Sequence, residues 1–168
     1  MTLGGIGPKL MLMCLPYIIL ALSVEYNYPE FLNIEYFDHV VFKYLGLFWL
    51  AAGFAFWISS VIIFLSDFKT GKLITRGTFG WCRNPVYASM IVFILPAFAL
   101  IYHSGLIASI MLVFYIGFKI SIHGENILLK RTFGNEYEIY KQSVNEILPF
   151  PRFIFKSITT TTKEKHHE

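Results

Sequence analysis

Apolar runs of membrane-crossing length alternate with short polar stretches four times along this chain. The first run extends from Ile6 to Val24, interrupted by Lys9, whose long stem lets its ammonium snorkel to a polar boundary. The second runs from Val40 to Ser66, the third from about Val86 to Tyr102, and the fourth from about Leu106 to Ile122. A bilayer core needs roughly 20 apolar residues in a helix. The pattern therefore predicts an all-α integral membrane bundle of about four transmembrane helices. The second run is long enough to tilt or to pass beyond the lipid. Small residues at its centre, Ala51, Ala52, Gly53 and Ala55, predict close helix packing. Pro96 predicts a kink in the third, because proline cannot complete the helical hydrogen bond behind it. His103, Ser104 and Gly105 alone separate the last two runs, so these form an antiparallel hairpin.

After the fourth run the period changes character. Phe133, Tyr137, Tyr140 and Val144 recur at helical spacing, with Glu136, Glu138 and Lys141 on a polar side. This predicts a C-terminal amphipathic helix on the cytosolic side, broken from the fourth span at Gly134 and ended by Pro149 and Pro151. Residues 157–168 read as a disordered polar tail. One domain, residues 1–156, accounts for the rest.

Composition strengthens the membrane reading. Of 168 residues, 55% are hydrophobic and 15% charged, against about 25% charged in a soluble domain. Mean hydropathy is +0.56. A soluble chain of this length could not hide that much apolar surface. The net charge of +3 is scattered, which argues against nucleic acid as a partner. Cys14 and Cys82 read as reduced, and no His or Cys pair has metal-ligand spacing, so no metal is expected. No cleavage site follows the first run and no Cys-containing lipidation box ends the chain, so the first span is expected to be retained and the chain unprenylated.

Loop charges orient the bundle. Glu25, Glu30, Glu35 and Asp38 lie between the first two spans, with no Lys or Arg. Lys69, Lys72, Arg76 and Arg83 lie between the second and third, against Asp67 alone. Lys130, Arg131, Lys141 and Arg152 follow the fourth. The positive-inside rule puts both termini and the basic loop in the cytosol.

On that side two polar features face each other. The turn Arg83-Asn84-Pro85-Val86-Tyr87 opens the third span, and Glu125 closes the fourth. Arg83 reads either as an anchor for lipid phosphate or as a group for a ligand anion. Asn84 before Pro85 predicts a turn with free N–H groups at the helix start, suited to an anion. Glu125 has no basic neighbour one turn away, and reads either as a solvated interfacial acid or as an acceptor for an amine, a hydroxyl or a proton. Phe79, Trp81 and Tyr87 read as interfacial aromatics or as walls for a flat base or a cation. His123, a lone imidazole near the boundary, reads as structural.

The stretch Leu73-Ile74-Thr75-Arg76-Gly77-Thr78-Phe79-Gly80-Trp81-Cys82-Arg83-Asn84-Pro85-Val86-Tyr87 is followed by Glu125-Asn126-Ile127-Leu128-Leu129-Lys130-Arg131-Thr132-Phe133-Gly134-Asn135-Glu136-Tyr137-Glu138-Ile139-Tyr140, then Val144 and Leu148-Pro149-Phe150. This ordered pair resembles the isoprenylcysteine carboxyl methyltransferase family, and phospholipid N-methyltransferases share much of it. The resemblance covers about residues 72–150. It implies an integral membrane enzyme with S-adenosyl-L-methionine as cofactor, held in a cytosolic pocket roofed by the C-terminal segment. It implies cofactor contacts at Gly71, Lys72, Leu73 and Ile74, at Phe79, at Asn84, Pro85, Val86 and Tyr87, and at Glu125, with Arg83 and Glu125 as the catalytic pair. The implied partners are membrane lipids and a lipophilic or lipidated substrate entering from the bilayer; no protein partner is expected.

Three positions depart from the family pattern. Asn84 stands where a histidine is frequent, and Asn126 where a second glutamate is. Ser121 stands where members that methylate a prenylcysteine carboxylate carry an arginine. The acceptor, an isoprenylcysteine-like carboxylate, a lipid amine or a thiol, is left open. Arg83 is then the candidate to hold a substrate carboxylate or phosphate. Two rival readings stand beside this one. Membrane sterol and steroid reductases, which use a nicotinamide cofactor, are similar in the same region but usually carry asparagine where Val86 stands. A non-catalytic lipid-binding scaffold would leave the paired motifs without a purpose.

Overall fold

The structure is a computed structural model, which describes residues 6–28, 30, 32 and 38–150. The expected tail at 157–168 and Pro151 lie outside them. The elements among the described residues are all helices, with no strand. Four helices are long and apolar enough to cross a membrane.

Helix α1 spans Gly7–Asn27 and starts with proline in its first turn, where a missing N–H costs nothing. Helix α2 spans His39–Phe68 and is capped by Asp38, whose carboxylate accepts the Val40 N–H at 2.8 Å. The third rod, Pro85–Tyr102, has three parts: α3 at Pro85–Ala88, a π-helical turn at Ser89–Ile94, and α4 at Leu95–Tyr102. Helix α5 spans Gly105–Ser143, capped by Ser104, whose hydroxyl accepts the Ile107 N–H at 3.2 Å.

The third rod is irregular in a way that the sequence only half indicates. The expected disturbance at Pro96 takes the form of a π turn ahead of it. Pro96 cannot donate to the carbonyl of Val92, four residues back. The indole Nε1–H of Trp49, on α2, donates to that carbonyl at 2.9 Å.

Helix α1 lies against α5, α5 against α4, and α2 against α4 and the π turn. The buried residues of α2 are Gly46, Gly53 and Ser60, seven apart and so on one face. A Cβ on Gly46 would meet Ile101 at 2.7 Å, and one on Gly53 would meet Phe93 at 2.7 Å. Only the absence of side chains permits that approach. Gly117 serves α5 in the same way, against Leu10, Met13 and Cys14 of α1. The main core gathers Leu10, Cys14, Ala88, Ile91, Phe114, Phe118 and Ile122 between these rods.

Up to its break at Gly134, helix α5 is about 44 Å long at 1.5 Å per residue, longer than the ~30 Å of a bilayer core. Its apolar first half ends near Ile122. Gly134, with φ 54° and ψ −125°, breaks it where the sequence predicts. Beyond that break Tyr137, Tyr140 and Val144 form a second small buried cluster with Leu73, Leu129 and Phe133. Pro149 does not end the helix as expected. The helix stops at Ser143, and Val144 is already extended. The chain then pairs with the start of the third rod: the N–H groups of Arg83 and Asn84 donate to the carbonyls of Asn145 and Glu146 at 2.8 and 3.1 Å. This pairing replaces further helical bonds, which is the physical reason for the earlier stop.

Candidate functional site

At the end of the bundle that holds the last turns of α2, a cavity of about 590 Å³ opens between α2, the basic loop, the start of the third rod and α5. Helix α2 supplies Val61, Phe64, Leu65 and Phe68 from its last turns. Helix α5 supplies Glu125, Leu128, Leu129 and Thr132, whose spacing of three, one and three keeps them on one face. Phe133 and Tyr140 close the wall near the break at Gly134. All eleven residues that the resemblance implies line this one cavity: Gly71, Lys72, Leu73, Ile74, Phe79, Arg83, Asn84, Pro85, Val86, Tyr87 and Glu125. Trp81 does not; it is exposed and turned toward Phe56, 6.2 Å between ring centroids. His123 is exposed and also absent from the lining.

The loop that brings Lys72 to Ile74 into place is held at its base. Gly71, with φ 66°, makes a left-handed turn that residues with a Cβ disfavour. Arg76 then folds back on α2 and holds Asp67 with two bonds, Nε to Oδ2 at 2.6 Å and Nη2 to Oδ1 at 2.7 Å. Phe79 is fixed from the other side, because the Tyr140 hydroxyl donates to its carbonyl at 2.6 Å. Burial pushes that phenol's pKa up, so it stays a donor.

Arg83 is not a surface anchor for lipid phosphate. Its side chain is only 7% exposed. Nη1 donates to the Tyr137 hydroxyl at 3.1 Å, which donates in turn to Asn126 Oδ1 at 2.5 Å. Nη2 lies 3.6 Å from Glu146 Oε1, while Glu146 Oε2 is bonded to Lys119 Nζ at 2.5 Å. The Nε–H of Arg83 is buried without a partner. The N–H groups of Arg83 and Asn84, just ahead of the helix start, are taken by the extended segment after α5, as is Asn84 Nδ2 at 3.1 Å from the Glu146 carbonyl.

Among the described residues, Glu125 is the only carboxylate in the lining. Its Oε2 is buried and has no hydrogen-bond partner. It sits past the apolar half of α5, and burial raises its pKa above the usual glutamate range. One turn earlier the Ser121 hydroxyl is also buried and unpartnered. Tyr87 packs on Phe118 in a tilted arrangement, 5.4 Å between ring centroids, which holds its ring at the cavity wall. Cys82, next to the turn, is fully buried, and burial pushes its thiol up to about 12. It is a packing residue, not a nucleophile.

The site thus combines an apolar cleft, aromatic faces, an open carboxylate and an open guanidinium donor. Such a cleft suits a small molecule with apolar and charged parts. Among the described residues no group of three or more His, Cys, Asp or Glu side chains is placed to hold a metal ion. Sequence reasoning took Tyr137 and Tyr140 as one face of a helix and overlooked their bonds to the motif. It also passed over Lys119 and Glu146. A lysine near the end of an apolar run is costly unless paired, and that was the available signal. No family model, curated protein or solved structure matches this chain.

Proposed function

We propose that the chain is an integral membrane methyltransferase that takes a methyl group from S-adenosyl-L-methionine and transfers it to a lipophilic acceptor at the cytosolic membrane face. The observation that carries this reading is the convergence of Leu73–Ile74, Phe79, Arg83–Tyr87 and Glu125, far apart in sequence, on one cavity of about 590 Å³. That volume lies within the ~300–1,000 Å³ of small-molecule pockets.

Membrane insertion is supported by the outer faces of the rods. Leu12, Ile19, Phe48, Ile62, Ile116 and Ile120 are exposed, as lipid contact requires. Lys69, Lys72, Arg76, Lys130 and Arg131 cluster at the cavity end, and Glu25 and Asp38 lie toward the other. The positive-inside rule then orients the cavity to the cytosol, with the helix after Gly134 on the same side.

The lining suits the cofactor. It offers aromatic faces at Phe79 and Tyr87 for a base or a sulfonium, and an unpartnered carboxylate at Glu125 for an ammonium. When bound, the cofactor supplies an electrophilic methyl group. The chain's own contribution is alignment and the exclusion of water. Leu73, Ile74 and Phe79 wall the apolar side. Asn84 and Pro85 set the turn that presents Val86 and Tyr87. Val61, Phe64 and Leu65 of α2 and Leu128 of α5 give an acceptor's apolar tail a wall continuous with the bilayer side of the bundle. A carboxylate or thiolate acceptor needs no base. An amine does, and among the described lining residues Glu125 is the one carboxylate that can take the proton, since His123 lies outside.

A ligand that binds the folded state raises its melting temperature. The detergent-solubilised protein is expected to melt higher with S-adenosyl-L-methionine and unchanged with NADPH. A rise with NADPH alone would instead support a reductase, and no rise with either a scaffold. Radiolabelled methyl donor incubated with lipid extract then identifies the acceptor: alkali-labile label is a methyl ester, stable label an amine or thioether.

A further inference from the structure

Arg83 carries a buried charge that its neighbours leave incompletely met. A buried cation is costly unless an anion and hydrogen bonds meet it. The nearest carboxylate, Glu146, stands 3.6 Å from Nη2, beyond hydrogen-bond distance. The same carboxylate is bonded to Lys119 at 2.5 Å. Nη1 has only the neutral Tyr137 hydroxyl, and Nε has nothing. The side chain is 7% exposed and lines the cavity.

We propose that Arg83 is the anion-binding group of the cavity, and that Lys119 keeps it available by holding Glu146 away from it. The ligand group is a carboxylate or a phosphate on the molecule that fills the cavity. It enters beside the open Nε–H, where it gains a charge-assisted bond that Glu146 does not make. Lys119 is a positioning residue, since it acts through Glu146 and does not line the cavity. Only the identity of the ligand rests on the methyltransferase reading; the anion preference does not.

The test uses the full chain in dodecyl maltoside at low salt, with two probe pairs. Dodecyl phosphate is compared with dodecanol, and S-adenosyl-L-methionine with its decarboxylated analogue. Lys119→Gln is expected to weaken the anionic probe by about fivefold and Glu146→Gln to strengthen it by a similar factor, the scale of a nearby charge in a partly screened site. Dodecanol and the decarboxylated donor, which lack the anionic group, show neither the weakening nor the strengthening. The double variant behaves as Glu146→Gln alone, because Lys119 has nothing left to hold. A merely structural ion pair would shift both variants, and both probes, in one direction; that outcome overturns the proposal. So does a Lys119→Gln effect that persists undiminished without Glu146. The opposed shifts seen with dodecyl phosphate assign the anion to the acyl-bearing ligand. Seen with the methyl donor and lost on its decarboxylation, they assign it to the cofactor. Should the methyl donor not bind at all, the functional reading fails, and dodecyl phosphate alone still decides this one.

Discussion

At Glu125 burial lifts the carboxyl pKa above the usual glutamate range, and Oε2 has no partner. The sign of the consequence is fixed by linkage. The folded chain holds this proton more tightly than the unfolded chain does, so ionisation at neutral pH costs stability. That cost disappears as pH falls through the raised pKa. Glu125→Gln removes the charge and keeps the shape. It is expected to raise the melting temperature at neutral pH while weakening the methyl donor by about tenfold or more, the scale of a charge-assisted bond. In the parent, calorimetric affinity for the cationic donor should fall as pH drops through the raised pKa, and in the variant it should not change there. A lower melting temperature with unchanged affinity would give Glu125 a structural role only.

Helix α2 can approach α4 and the π turn because its contact face carries Gly46, Gly53 and Ser60. Gly53→Val forces a branched side chain against Phe93 and Ile94, and should cost about 1–3 kcal/mol in unfolding measurements, as overpacking does. Gly134 poses a different problem. Nothing crowds it, yet its φ of 54° with ψ of −125° suits glycine alone. Gly134→Ala should therefore cost about 1–3 kcal/mol through the backbone. It should also weaken ligand binding, because the break sets the direction of Tyr137 and Tyr140 toward Arg83 and Phe79. Retained affinity at reduced stability would separate the break from the site.

Over the whole molecule, the four rods and the charge of their ends predict where each loop emerges. A cysteine placed at Tyr26, in the last turn of α1, and one placed at Lys72, after α2, should react with a membrane-impermeant reagent from opposite sides, Lys72 from the cytosol. Labelling of both from one side would overturn the topology. The rods themselves could be read from the sequence, because apolarity over some twenty residues is a local property of the chain and a helix satisfies its own backbone. Gly134 was legible for the same reason, since its effect lies within its own residue. The pairing of residues 82–84 with 145–146 was not. A few extended residues carry no period, and their partners lie about sixty positions away. Nor was the bond from Trp49 that completes the carbonyl behind Pro96, or the sharing of Glu146 between Lys119 and Arg83. The sequence by itself determined the helices and the residue types available at one end of the bundle. Only the tertiary structure decided which polar atoms meet and which stay open, Arg83 Nε and Glu125 Oε2 among them. Hydrogen bonds depend on ångström-scale placement of segments that the chain alone does not order.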